Sequence, residues 1–296
     1  MLDEAAFRKK VLCLAQELPS TPAVLGKLQR LLTDPNSGLD AICALLKRDM
    51  GLSARILRVS NSVYFGPSAA HSTLEEAVGC VGYREIYRVV GVTIARQFLN
   101  RDLRAYNCTA RRLWENVVCS ALAMESLAQF AGINPRSAYT AGLMRSVGMI
   151  LLDRMADVSN PAPAPYSAES GDPVGNWEAA AFGCDNPAVA ALLLKEWEFP
   201  EEVCEAVRNH YRPAIPTVES VTACVLNCAG RVARDLGFGL AGEDPYWEPD
   251  PVVLGRAGLA ESEIALCTEE TGMAFDAVRQ TVADAEPEGR PAPAHA

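Results

Sequence analysis

Apolar residues recur along most of the chain at spacings of three and four. No run alternates apolar with polar positions between turn signals in the way that predicts a strand. Leu113, Val117, Ser120, Met124, Leu127 and Ala131 fall on one helical face, and Gly132 ends that run. Asn134 and Pro135 then predict a capped start for a helix running through Leu143, Val147, Ile150 and Leu151. Asn186 and Pro187 open a segment with Val189, Leu192, Leu193 and Trp197, and Pro200 opens one with Val203, Cys204 and Val207. Pro216 precedes a longer helix with Val218, Val221, Val225, Leu226 and Val232. Between Leu39 and Ser62 the pattern predicts a helix, a turn around Gly51 and a second helix opening at Ser53.

Two stretches interrupt the helices. Residues 159–176 and 237–251 are rich in Pro, Gly and Ser or acids and are expected to be connections, the second carrying Tyr246 and Trp247. From Glu286 the chain has too little apolar content to order itself and is expected to be disordered. Apolar periodicity also fades between residues 100 and 110. The expected organisation is an N-terminal helical bundle over 1–105, a second helical subdomain over 106–285 and a tail over 286–296, with 1–285 forming one module.

Composition fits this reading. Of 296 residues, 49% are apolar and 22% charged, the balance of a globular chain that buries a sizeable core. No stretch reaches the roughly 18 unbroken apolar residues of a membrane helix, and MLDEAAFRKK lacks the basic start and apolar block of a signal peptide. A cytoplasmic location and no membrane partner are therefore expected. The ten cysteines include no Cys-x-x-Cys pair and read as reduced core thiols. Cys224 and Cys228 share a helical face, but two thiols are half a zinc site, so packing is the expected role.

The net charge of −10 is unevenly placed. Residues 235–288 hold thirteen acids against Arg256 and Arg279, while residues 84–112 carry seven arginines, Arg84, Arg88, Arg96, Arg101, Arg104, Arg111 and Arg112, against Glu85 and Asp102. Such a stretch suits nucleic acid or an acidic partner. Without interleaved surface aromatics, the solvated face of one or two helices is the favoured reading.

The most specific feature is a series of phrases: Leu18-Pro19-Ser20-Thr21-Pro22, Asp49-Met50-Gly51-Leu52-Ser53, Val59-Ser60-Asn61-Ser62-Val63-Tyr64-Phe65-Gly66 and Ala77-Val78-Gly79-Cys80-Val81-Gly82. It continues through Leu113-Trp114-Glu115-Asn116, Ala141-Gly142-Leu143, Phe182-Gly183-Cys184-Asp185 and Asn209-His210-Tyr211. In order and spacing these resemble the HDOD family, bacterial signalling modules related to the HD-type metal phosphohydrolases. The resemblance implies an all-α fold, an N-terminal helical bundle packed on an HD-like helical subdomain.

It also exposes a deficit. Phosphate hydrolysis at such a centre needs several His and Asp side chains converging on a metal. Of the three histidines, His71 and His295 lie in a connection and in the tail, leaving His210 alone. Position by position, the resemblance puts Asn116 at the first ligand, Arg145 and Ser146 at the His-Asp doublet, Asn186 at a later histidine and Gly230 at the late aspartate. Arg145 cannot ligate, and its permanent charge repels a divalent ion. Arg145 is expected to fill the vestigial metal position and hydrogen-bond polar neighbours; the competing expectation is that it reaches solvent.

The resulting expectation is a non-catalytic signal-transduction or scaffold module with no catalytic residues, metal or cofactor. It would bind a signalling protein or a small phosphate-bearing ligand in a groove lined by some of Asn61, Tyr64, Phe65, Asn116, Arg145 and His210. Alternatives are a relic metal-dependent phosphohydrolase and a helix-turn-helix DNA-binding regulator with Arg55 and Arg58 on its reading helix; nucleic acid is the less favoured partner. Asn61 to Gly66 otherwise reads as a structural corner. Gly237 to Gly242 matches a dinucleotide fingerprint in letters but lacks its strand, and Cys204 lies off the helical face of His210, so neither supports catalysis.

Overall fold

The computed structural model describes residues 4–16, 21–34, 36–60, 73–215 and 217–284. Among these the chain is helical without strands, and its nearest approach to β-structure is an isolated bridge between Leu103 and Cys108. Helices α1 (Glu4–Gln16), α2 (Thr21–Thr33), α3 (Leu39–Leu46), α4 (Met50–Ser60), α5 (Leu74–Val81) and α6 (Tyr83–Phe98) precede the long α7 (Ala110–Ala131). Then come α8 (Pro135–Met144), α9 (Val147–Asp157), α10 (Val174–Phe182), α11 (Asn186–Glu196), α12 (Glu201–Asn209), α13 (Val221–Ala233), α14 (Pro251–Ala257) and α15 (Glu261–Asp284).

Local chemistry explains many of these boundaries. Thr73 and Glu76 form a capping box at the start of α5, each side chain taking the other's backbone N–H at 3.2 Å. Asn134 caps α8 by accepting from the Arg136 and Ser137 amides, with Pro135 at the first helical position where no N–H is missed. Asp49 accepts from the Leu52 amide at 2.9 Å and starts α4 earlier than expected, so Gly51 lies inside the first turn of that helix and not at the preceding bend. Ser220 caps α13, which leaves Val218 outside the helix predicted to contain it.

Helices α2 to α6 gather around Leu25, Leu28, Ile42, Leu46, Leu52, Ile56 and Ile86, all buried. In the second half, α7 runs centrally against α8, α13 and α15. A buried polar cluster joins the halves: the Tyr87 hydroxyl lies 2.5 Å from Thr140 Oγ1, and Gln29 donates to Ser137 at 3.1 Å.

One expectation fails in a useful way. The apolar period from Leu143 to Leu151 predicts one helix, yet the chain breaks at Arg145 and Ser146, where Ser146 adopts φ −104°, ψ 12°. The break lets α9 cross α11 closely: a Cβ on Gly148 would lie 2.0 Å from the Asn186 carbonyl oxygen, so no larger residue fits there.

Candidate functional site

The break between α8 and α9 carries Arg145 into the interior, where it is 1% exposed. The expectation that it reaches solvent is thus corrected. Its guanidinium grips the Glu243 carboxylate at both ends, Nη1 to Oε1 at 3.0 Å and Nη2 to Oε2 at 2.6 Å. Nη2 also donates to Asn116 Oδ1 at 2.7 Å, Nε to Ser120 Oγ at 3.2 Å, and Nη1 makes a long 3.5 Å contact with His210 Nε2. All five N–H groups of a guanidinium are matched by these five contacts, which is what burial of this planar cation requires. The Trp247 ring covers its face, 5.2 Å from the guanidinium carbon to the ring centre.

The histidine's protonation follows from geometry. His210 Nδ1 lies 2.7 Å from the Val207 carbonyl, which can only accept, so the ring proton sits on Nδ1 and Nε2 turns its lone pair to Arg145. Burial, reinforced by the Arg145 charge, pushes its pKa down to about 3, so the ring stays neutral. Burial alone would lower the Arg145 pKa, but attraction and hydrogen bonds from Glu243 hold it above the ordinary value.

Outward from this pair runs a chain of hydrogen bonds. The Tyr211 hydroxyl donates to Glu243 Oε1 at 2.8 Å and accepts from Asn186 Nδ2 at 2.9 Å. The Asn186 backbone amide donates to Glu178 Oε2 at 2.7 Å, and the Tyr106 hydroxyl donates to Glu178 Oε1 at 2.8 Å. Glu178 is fully enclosed, and burial pushes its carboxyl up to about 8.

Of the positions predicted from the sequence, Asn116, Arg145 and His210 meet directly, and Asn186 joins through Tyr211. Ser146 is buried beside them, its hydroxyl lacking a hydrogen-bond partner among the described residues. Gly230 serves differently: a Cβ there would lie 2.8 Å from three atoms of the Trp247 ring, so its small size makes the place in which the indole sits. The groove is corrected for Asn116, Arg145 and His210, which are at most 1% exposed and face one another instead of solvent. Asn61, Tyr64 and Phe65, the corner from Asn61 to Gly66, His71, His295, the tail from Glu286 and the side chains of Arg55 and Arg58 lie outside the described residues.

Sequence reasoning missed Glu243 and Trp247 because they sit in 237–251, which reads as a connection and has no helical period. Their signal was an acid and a tryptophan of the sort that a buried cation needs, but nothing in the sequence pairs them with Arg145. The donor set does not fit a divalent ion: Glu243 is neutralised by a fixed cation, and Asn116 and His210 already face that cation. Among the described residues no group of three or more His, Cys, Asp or Glu side chains is placed to hold a metal.

The arginine-rich stretch is mostly tied internally. Arg84 and Arg88 pair with buried Glu125, Arg101 with Asp153 and Asp157, Arg111 with Glu115, and Arg112 donates to the Gly237 and Gly239 carbonyls. No helix is long and apolar enough to cross a membrane among the described residues.

Comparison with known proteins places the fold. The HDOD domain matches residues 18–213. A curated protein of Treponema pallidum (strain Nichols), described as uncharacterized, is 24% identical over 213 residues, covering 68% of this chain and 41% of that relative. The chain thus spans about two fifths of that relative's length. An HDOD domain protein of unknown function from Geobacter sulfurreducens superposes with a TM-score of 0.67 at 20% identity, over 93% of this chain and 98% of that one. A protein from Shewanella amazonensis SB2B, provisionally named a phosphohydrolase, gives 0.60 at 22% identity, over 92% and 98%. At these identities the solved structures establish the helical fold alone. With two thirds of its length matched by the domain and the fold in agreement, this chain belongs to the HDOD family.

Proposed function

We propose that this chain is a non-catalytic signalling or scaffold module in which a buried ion pair stands where HD-type relatives assemble a metal centre, and that it acts by binding a partner protein or a small phosphate-bearing ligand. The observation that carries this reading is the Arg145–Glu243 pair, with every guanidinium N–H matched and Trp247 across its face. A fixed cation at the centre opposes entry of a second positive charge, and hydrolysis by polarised phosphate and activated water then has no ion to work with. His210 does not replace it, because a neutral imidazole whose lone pair faces Arg145 is poorly placed to take a proton from water.

The test is elemental analysis of the purified chain together with a phosphodiester turnover assay using bis-p-nitrophenyl phosphate and added manganese, iron or zinc. The reading expects less than about 0.1 ion per chain and no turnover above that of an Arg145→Met control. Stoichiometric metal, or turnover abolished by that substitution, would establish the relic phosphohydrolase instead.

A further inference from the structure

Two arginines of the basic stretch, Arg96 and Arg111, line the same open cleft. It has a volume of about 840 Å³ and lies between the end of α6, the first turns of α7 and the last described turns of α15. Arg279 completes it from α15. That arginine is one of only two basic residues within the acidic stretch 235–288, yet the fold brings it into the lining of the same cleft as two other arginines. Glu115 and Asp276 are the acids of the cleft, and Glu115 is engaged by Arg111 at 3.0 Å, so three cations face two carboxylates.

One lining residue is aromatic. Trp114 lines the cleft, its ring centre 6.0 Å from that of Phe275, which in turn lies 4.5 Å from Phe238. Arg279 sits over Phe275 at 6.0 Å and makes no ion pair among the described residues. The indole N–H of Trp114 has no acceptor among the described residues, an unmatched donor beside the cleft.

Guanidinium groups match phosphate oxygens in geometry, and three of them, contributed by three helices, line this one cleft. A tryptophan beside them suits a planar ring, and Asp276 suits hydroxyl or amino donors. We propose that this cleft is a binding site for a nucleoside monophosphate: phosphate at Arg96, Arg111 and Arg279, base against Trp114, and sugar or base donors toward Asp276. The proposal rests on the reading of the chain as a binding module and gives that reading a location. None of the residues lining the cleft is among the partners of Arg145, so the cleft is separate from the Arg145 centre.

The experiment is titration of the full chain with AMP, GMP, adenosine and inorganic phosphate, followed by calorimetry and tryptophan fluorescence. At least one of the two nucleotides should bind saturably below about 1 mM and quench fluorescence, with adenosine and phosphate each at least about tenfold weaker. Arg279→Gln, on an exposed helix surface, should weaken the nucleotide by about tenfold or more, while Arg84→Gln, whose arginine pairs with Glu125 elsewhere, should leave it unchanged. Trp114→Phe should remove the quench. No binding of AMP or GMP at about 1 mM overturns the proposal, and so does binding that Arg279→Gln leaves intact. The module reading falls separately, on metal content and phosphodiester turnover.

Discussion

Replacing Glu243 by Gln keeps the shape of the buried centre and removes only the charge that balances Arg145. The guanidinium is 1% exposed and Glu243 is completely enclosed, so solvent cannot take over the lost role. The variant amide still offers one acceptor, but its NH₂ group confronts either a guanidinium N–H or the Tyr211 hydroxyl, both of which now donate to the carboxylate. Leaving a buried charge without its partner typically costs about 3–5 kcal/mol. For a domain of this size that corresponds to a fall in Tm of roughly 10 °C. The decisive assay is a double-mutant cycle by urea unfolding with Glu243→Gln, Arg145→Met and the pair combined. Removing both charges should cost less than the sum of the singles, with a coupling of at least about 2 kcal/mol. Costs that add to within about 0.5 kcal/mol, or a Glu243→Gln variant as stable as the parent, would refute the assignment of this pair as the organising contact of the centre.

The other expectations concern the same interior. Gly230→Asp should destabilise by about 2 kcal/mol or more by displacing Trp247, seen as loss of near-ultraviolet dichroism, without creating manganese binding by calorimetry. Glu178 holds its proton to about pH 8 in the folded chain, against an ordinary value of 4.5. Its contribution therefore makes stability fall as pH rises between those values, by up to about 1.4 kcal/mol per unit, and Glu178→Gln should flatten that limb of a stability-versus-pH curve. His210 works in the opposite sense, since folding lowers its pKa from 6.5 to about 3. Stability should fall as pH drops through that window, and His210→Gln should remove this acid-side slope in the same urea titrations.

Two placements show how far local pattern reaches. Asn134 with Pro135 fixes a helix start in letters and in space because the capping bonds close within three residues. The same periodicity, followed further, runs straight through Arg145, because Leu143, Val147, Ile150 and Leu151 keep a helical phase on both sides of the break. Apolar period measures which face is buried and does not register a single interrupted turn.

The sequence alone determined the helical class and the family resemblance, since each is a matter of residue type and nearby spacing, and it set a permanent cation, Arg145, within an apolar helical phrase. Only the tertiary structure decided what that cation does. Its counterion, Glu243, stands 98 positions away in a stretch without periodicity, and Gly230 leaves the space for the Trp247 ring that covers it. Tertiary packing likewise brought Arg279 out of an acidic stretch into the cleft that Arg96 and Arg111 also line. Such encounters depend on how helices cross, and Coulomb attraction between remote residues leaves no trace in the order of the chain until the backbone has brought them together.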